Sequence, residues 1–252
     1  MPRVHVNIPY RMIGQYIELL RTHRINPEIY FTGDELDAGA SSPASIDSVK
    51  AGLSYGPAIS LHAPYMDLSP GAVDSAIREV TQRRYLQAVE AAQRLGADTV
   101  VMHSGYEKWK FDLNIDLWLT QSMKTWNTVH KAAEGTNIKI AIENIFEEEP
   151  SNLELLMREL PPERFGLCFD AGHFNLFSTV PLSKWLAGTK SRIIELHLHD
   201  NDRTSDLHRA IGDGVFPFNE LFPVFDDTDC LYTIEGHSKE AVLGSLRYLE
   251  VG

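Results

Sequence analysis

Cysteine is scarce: Cys168 and Cys230 are the two in a chain of 252 residues, and neither belongs to a CxxC pattern. That excludes a disulfide-stapled scaffold and a thiolate metal cluster. Both lie in apolar strand-like runs, where buried reduced thiols are expected. Long hydrophobic runs are also missing. No stretch of about eighteen apolar residues occurs, so no membrane span is expected. The opening "MPRVHVNIPY" starts as a strand and holds no apolar leader core, which makes a cytoplasmic location the expectation. Positive charge is in short supply. Lys and Arg number 23 against 35 Asp and Glu, a formal net charge of -12. Without a dense basic cluster, the chain lacks the face with which a nucleic-acid binder neutralises phosphates. No GxGxxG follows an early strand, which weakens a dinucleotide-binding reading. No Ser/Gly linker or low-complexity tract marks a boundary, so residues 1–252 read as one domain.

What is present is a regular alternation. Short β-like runs at 4–10, 27–31, 58–65, 99–106, 139–146, 165–173, 193–200 and 230–237 are apolar enough for strands buried on both faces of a parallel sheet. Helical runs lie between and after them, at 14–24, 44–53, 73–96, 116–134, 152–160, 182–187, 218–225 and 239–250. In the run 73–96, Val73, Ile77 and Val80, then Leu86, Val89 and Leu95, recur at helical spacing, and Gly96 stands where a C-cap belongs. Eight β-α units in strict order argue for an α/β chain folded as a closed (β/α)8 TIM barrel.

The strand ends carry the chemistry. Strand 3 ends on His62, strand 4 on His103, strand 5 on Glu143, and strand 6 on Asp170 with His173 one turn on. Strand 7 ends on His197 and His199, and strand 8 on Glu235. Residues two positions earlier share the strand face. They are Ser60, Val101, Ala141, Cys168 and Thr233, all suited to a crowded barrel interior, and the exception Glu195. One histidine at a strand end is ordinarily a hydrogen-bonded or surface residue. Six successive strands ending in His, Asp or Glu are a different matter, because gathering so many ionisable groups on the C-terminal rim is costly without a cation. Mixed imidazole and carboxylate donors suit Zn, Mn or Fe. The connection 201–217 after strand 7 adds Asp206 and His208, and a loop of that length in a compact barrel is usually functional. His5, His23 and His130 read as ordinary structural or surface histidines, and His237 as a residue beside the rim.

"SLHAPY", "VMHSG", "IENIF", "DAGH", "HLHDND", "DLHRAIGDG" and "IEGH", in that order, resemble the xylose isomerase-like TIM-barrel superfamily. That group holds sugar-phosphate isomerases and epimerases together with enzymes of the endonuclease IV type. The resemblance implies two alternative site assignments. In the keto-sugar epimerases a Glu, an Asp, a His and a second Glu bind one metal; here these are Glu143, Asp170, His197 and Glu235. The two glutamates act there as the acid/base pair, and the histidine matching His173 contacts substrate. In the endonuclease IV type nine ligands hold three zinc ions, matched here by His62, His103, Glu143, Asp170, His173, His197, Asp206, His208 and Glu235. His197 is taken over His199 from the match of "HLHD" to the family's His-Leu-x-Asp, and the two share a strand face.

The first functional expectation is therefore a metal-dependent isomerase or epimerase of a small sugar or sugar phosphate. It would work by proton transfer next to a metal-bound carbonyl, with one to three zinc or manganese ions. The alternatives are a multinuclear zinc phosphoesterase and a non-catalytic metal-binding barrel. Arg209, Tyr106 and Trp109 are candidate substrate-binding residues, with Arg203, Lys108 and Lys110 as further phosphate candidates on the rim. The acidic balance points to a small-molecule partner rather than nucleic acid or membrane, and a homo-oligomer is left open.

Overall fold

The computed structural model describes residues 3–37 and 43–251. In chain order it consists of β1 (Arg3–Pro9), α1 (Ile13–Thr22), β2 (Asn26–Tyr30), α2 (Gly33–Asp37), α3 (Pro43–Gly52), β3 (Ser60–His62), α4 (Ser75–Leu95), β4 (Thr99–His103) and α5 (Ile115–Ala132). Then follow β5 (Lys139–Glu143), α6 (Ser151–Glu159), β6 (Phe165–Asp170), α7 (Ala171–Phe177), α8 (Leu182–Thr189), β7 (Ile193–Leu198), α9 (Phe218–Phe225), β8 (Leu231–Ile234) and α10 (Lys239–Val251). The strands pair in sequence order, all parallel, and β8 closes on β1. The expected (β/α)8 TIM barrel is the fold observed.

Alternation along the strands separates two interiors. Outward residues such as Val100, Met102, Ile140, Ile142 and Phe169 join the main apolar core between barrel and helices. Inward residues Val101, Ala141 and Cys168 form a small separate cluster inside the barrel, with Ile194 packed against it. Ile194 is the extra residue of a register shift between β6 and β7, and Gly166 leaves the space its branched side chain needs. Register then places site residues side by side: His103 opposite Glu143, and Asp170 opposite His197.

Two helix expectations change. Val73, Ile77 and Val80 are exposed rather than buried: Val73 precedes α4, where the Asp74 carboxylate caps the Ala76 amide at 2.8 Å, and Ile77 and Val80 lie on the helix face turned away from the core. Its buried face is instead Thr81, Tyr85, Ala88, Ala92 and Leu95. Gly96 does cap the helix, at φ 77°. The run 165–173 does not continue as a strand. It stops at Asp170, whose side chain accepts the His173 amide at 2.6 Å and so starts α7. β3, β4, β5, β7 and β8 are also shorter than read, since their last expected residues belong to rim loops, while β1 and β2 keep the expected length and start one residue earlier. Among the described residues no helix is long and apolar enough to cross a membrane.

Candidate metal centre

The C-terminal rim encloses a cavity of about 1170 Å³. Its floor is the polar cluster, and Tyr30, Tyr65, Tyr106, Val73, Ile77 and Phe146 line its walls together with the cations Arg11, Lys110 and Lys239. At the centre stands Glu143, which is 1% exposed and faces four imidazoles. Its Oε2 lies 3.1 Å from His62 Nε2, 3.4 Å from His103 Nε2 and 3.5 Å from His197 Nδ1. Its Oε1 lies 3.2 Å from His173 Nδ1. His197 Nδ1 is also 3.3 Å from Glu235 Oε1 and 3.8 Å from Asp170 Oδ2. Further out, Asp206 Oδ2 meets His208 Nε2 at 3.1 Å and His173 Nε2 at 3.5 Å. Among the described residues, five overlapping groups bring donor atoms close enough to hold an ion: His173, His199, Asp206 and His208; His62, Glu143 and His197; Glu28, His197 and Glu235; Glu143, Asp170 and His173; and Asp170, His199 and Glu235.

The tautomers show that this donor set fits a divalent cation. His62 Nδ1 faces the Ala63 carbonyl at 2.8 Å, His173 Nδ1 the Asn144 carbonyl at 3.1 Å, and His208 Nδ1 the Glu235 carbonyl at 2.9 Å. A carbonyl only accepts, so each Nδ1 carries a proton and each Nε2 turns its lone pair toward a carboxylate. Lone pair against carboxylate is repulsive unless a proton or a metal ion lies between. In the metal-free molecule the compensation comes from protons. Burial opposes charging of His62, His173 and His208, yet the facing carboxylates prevail and raise all three, His208 to about 9. Burial likewise opposes ionisation of Glu143, but His197 and His103 hold it well below the usual carboxylate range. His103 goes the other way, lowered by its burial. Both ring nitrogens of the fully buried His197 lack a hydrogen-bond partner.

His199 takes a different part. Its Nε2 lies 3.1 Å from both oxygens of Asp170, and its ring stacks on that of His208 at 3.7 Å, with 3° between the planes. His199 also belongs to two of the donor groups, one with His173, Asp206 and His208 and one with Asp170 and Glu235. Gly172 backs the His199 ring, and any side chain there would overlap it. His237 stacks on the far face of His208 at 3.9 Å. Asp200 orders the loop after β7: its carboxylate accepts the amides of Asn201, Gly212, Gly214 and Phe216.

The profile of the xylose isomerase-like TIM barrel matches residues 28–250. The chain belongs to that family. The uncharacterized protein MJ1311 of Methanocaldococcus jannaschii is 29% identical over 170 residues, which span 65% of this chain and 58% of that protein, less than two thirds of its length. Among solved structures of similar shape, the TTHB071 protein from Thermus thermophilus, soaked with ZnCl2, has a TM-score of 0.82 at 25% identity over 99% of this chain and 97% of that one. A D-tagatose 3-epimerase-like protein has a TM-score of 0.83 at 24% identity, covering 98% and 96%. Endonuclease IV from Thermus thermophilus has a TM-score of 0.71 at 18% identity, covering 99% and 98%.

Within this xylose isomerase-like barrel some expected site residues lie elsewhere. Arg209 does not line the central cavity: its guanidinium is held by Asp202 at 2.7 Å, beside a separate groove between α9 and α10. Trp109 also lies off the cavity wall, 74% exposed with the Lys108 ammonium 5.1 Å over its ring. Lys108 pairs with Glu148 and Arg203 bonds Asn175, while Tyr106 and Lys110 do line the cavity. Phe174 packs in the core against Trp185 and Phe216. Conversely, β1 and β2 supply polar residues that the sequence pattern does not single out. Glu28 and His5 are fully buried inside the barrel, His5 bonded to Ser60 at 2.8 Å and lowered by burial to about 4. Asn7 bridges Glu28 and Glu235. The available signal is an acidic residue inside the apolar run "PEIYF", two positions before Tyr30 on the same face.

Proposed function

We propose that this chain is a metal-dependent enzyme whose rim cluster binds more than one divalent cation, zinc or manganese, and that it hydrolyses a phosphoester of a small molecule. The observation that supports this most is the number of donors gathered on the rim: four imidazoles face Glu143, and Asp170, Glu235, Asp206 and His208 adjoin them, more than the four ligands one zinc ion ordinarily takes. His62 and His103 would hold a cation on one side of Glu143. Asp170, His197 and Glu235 would hold one at the centre, and His173, Asp206 and His208 would hold one on the outer side. Cations there supply charge stabilisation for phosphoryl oxygens and lower the pKa of water. Arg11, Lys110 and Lys239 on the cavity wall would bind the phosphate's remaining charge, and the aromatic wall would exclude bulk solvent. The walled cavity and the net charge of -12 favour a small substrate over a DNA duplex.

A second reading is isomerisation or epimerisation of a sugar or sugar phosphate. It draws on Glu143 and Glu235, which approach His197 Nδ1 at 3.5 and 3.3 Å and would serve as the proton-transfer pair. The likeness to a D-tagatose 3-epimerase-like protein points the same way. One experiment separates the two. Metal-loaded protein is incubated in D2O with a panel of sugar phosphates and followed by phosphorus and proton NMR. Release of inorganic phosphate supports hydrolysis. Deuterium entering the carbon next to the carbonyl, without phosphate release, overturns it in favour of the second reading. Abasic duplex DNA should remain uncut at physiological salt.

A further inference from the structure

Beneath the candidate ligands, β1 and β2 form a polar layer that no site assignment uses. Asn7 has two amide hydrogens, and each goes to a different carboxylate: Glu28 Oε1 at 2.8 Å and Glu235 Oε1 at 3.0 Å. The His197 ring stands between the same two groups, with Nε2 3.4 Å from Glu28 Oε1 and Nδ1 3.3 Å from Glu235 Oε1. Glu28 is fully buried, and Ser60 Oγ donates to its other oxygen at 3.5 Å. One Glu28 oxygen thus accepts from Asn7 and the other from Ser60.

We propose that Asn7 and Glu28 are positioning residues that clamp two metal ligands from below: Glu28 sets the orientation of His197, and Asn7 sets that of Glu235. The proposal rests on the metal reading above. For His197 to offer the Nδ1 lone pair toward Glu143, Asp170 and Glu235, its proton must sit on Nε2, where Glu28 Oε1 at 3.4 Å is the nearest carboxylate, an approach short of a formed hydrogen bond in the metal-free molecule. A carboxylate behind a ligating imidazole fixes both its tautomer and its plane. Asn7 keeps Glu28 and Glu235 on opposite sides of that ring, because one planar amide with two donors spans both. Glu195 provides the contrast. It lies in the same layer, 3.8 Å from His197 Nε2, but Thr233 Oγ1 donates to it at 2.6 Å. Glu28 is the nearer of the two to Nε2, and the Glu195 oxygen on that side is already taken by Thr233.

The test is a cobalt titration of the metal-stripped full chain, comparing wild type with Glu28→Gln, Asn7→Ala and Glu195→Gln. Visible absorption gives affinity and ligand-field spectrum, and thermal unfolding of the metal-free proteins checks that each folds. Glu28→Gln keeps an acceptor for Asn7 and loses the anionic acceptor behind His197. It should weaken cobalt binding by about 10–100-fold and shift the d–d bands. Asn7→Ala should do the same, while Glu195→Gln should match wild type. A Glu28→Gln variant with wild-type affinity and spectrum overturns the clamp alone, as does an equal loss in Glu195→Gln. A wild type that takes up no cobalt overturns the metal reading, and the clamp with it.

Discussion

Gly172→Ala puts a single methyl group where the rim cluster has no room. The new Cβ would come to 2.5 Å from His199 Nε2 and nearer still to Cε1 and Nδ1. The ring cannot simply turn aside. It is fully buried, stacked on His208 at 3.7 Å, and held by both oxygens of Asp170 at 3.1 Å. Overpacking a close-packed site costs about 1–3 kcal/mol. Losing a hydrogen bond to a charged group costs about 1.5–3 kcal/mol more. Replacing glycine inside a helix returns about 0.5–1 kcal/mol. The balance is a destabilisation of about 2–5 kcal/mol, and for a chain of this size each kcal/mol lowers Tm by about 2–4 °C. Calorimetry of the metal-free protein should therefore show a Tm lower by about 4–20 °C. Because Asp170 and His208 are displaced with His199, metal content measured by mass spectrometry should fall as well. A Gly172→Ala variant with unchanged Tm and unchanged metal content would refute the argument that His199 is wedged between the DAGH turn and the two candidate ligands.

Glu143→Gln removes the anionic centre that four imidazoles face, and should abolish turnover and reduce metal content. Full activity on any true substrate would sink the site assignment. His208→Ala should lower the number of metal ions per chain measured by mass spectrometry, since it empties one side of Asp206; unchanged stoichiometry would favour a single central ion. Metal uptake should release protons and weaken as pH falls. His208 has an ordinary value of 6.5 and is pushed up to about 9 against Asp206, so at neutral pH a proton occupies a position the metal needs. Calorimetric titrations in buffers of different ionisation enthalpy should report that release, and an affinity flat between about pH 6.5 and 9 would contradict it. The same pair makes the metal-free protein lose stability as pH rises. Its contribution is complete below about 6.5 and gone above about 9, so Tm of the stripped chain should drop across that window.

The architecture is legible in the sequence because period and polarity act locally. Buried parallel strands read as apolar runs, helices read at their own spacing, and the barrel's C-terminal rim turns the last polar residue of each strand into a neighbour of all the others. His62, His103, Glu143, Asp170 and Glu235 can be singled out for that reason alone, whereas strand 7 offers both His197 and His199 and the preference for His197 comes from the resemblance. The α4 face is misleading because Val73, Ile77 and Val80 obey helical spacing yet are exposed, Val73 and Ile77 at the cavity mouth. The DAGH turn is ambiguous because Ala171 and Gly172 are as compatible with a strand as with a helix. What decides is the Asp170 cap, a contact between side chain and backbone.

The chain's order of residues determined that eight β-α units would close and that an ionisable residue would crown six consecutive strands, because both follow from periodicity and from the direction of parallel strands. Tertiary structure alone decided which of these groups face one another. It set Arg209 against Asp202 and away from the cavity, turned His199 to brace Asp170 and His208, and brought Asn7 and Glu28 beneath residues about 170 to 230 positions later in the chain. Such pairings depend on barrel closure, which joins β1 to β8, and on side-chain rotamers fixed by packing. Neither leaves a mark in the local pattern of the sequence.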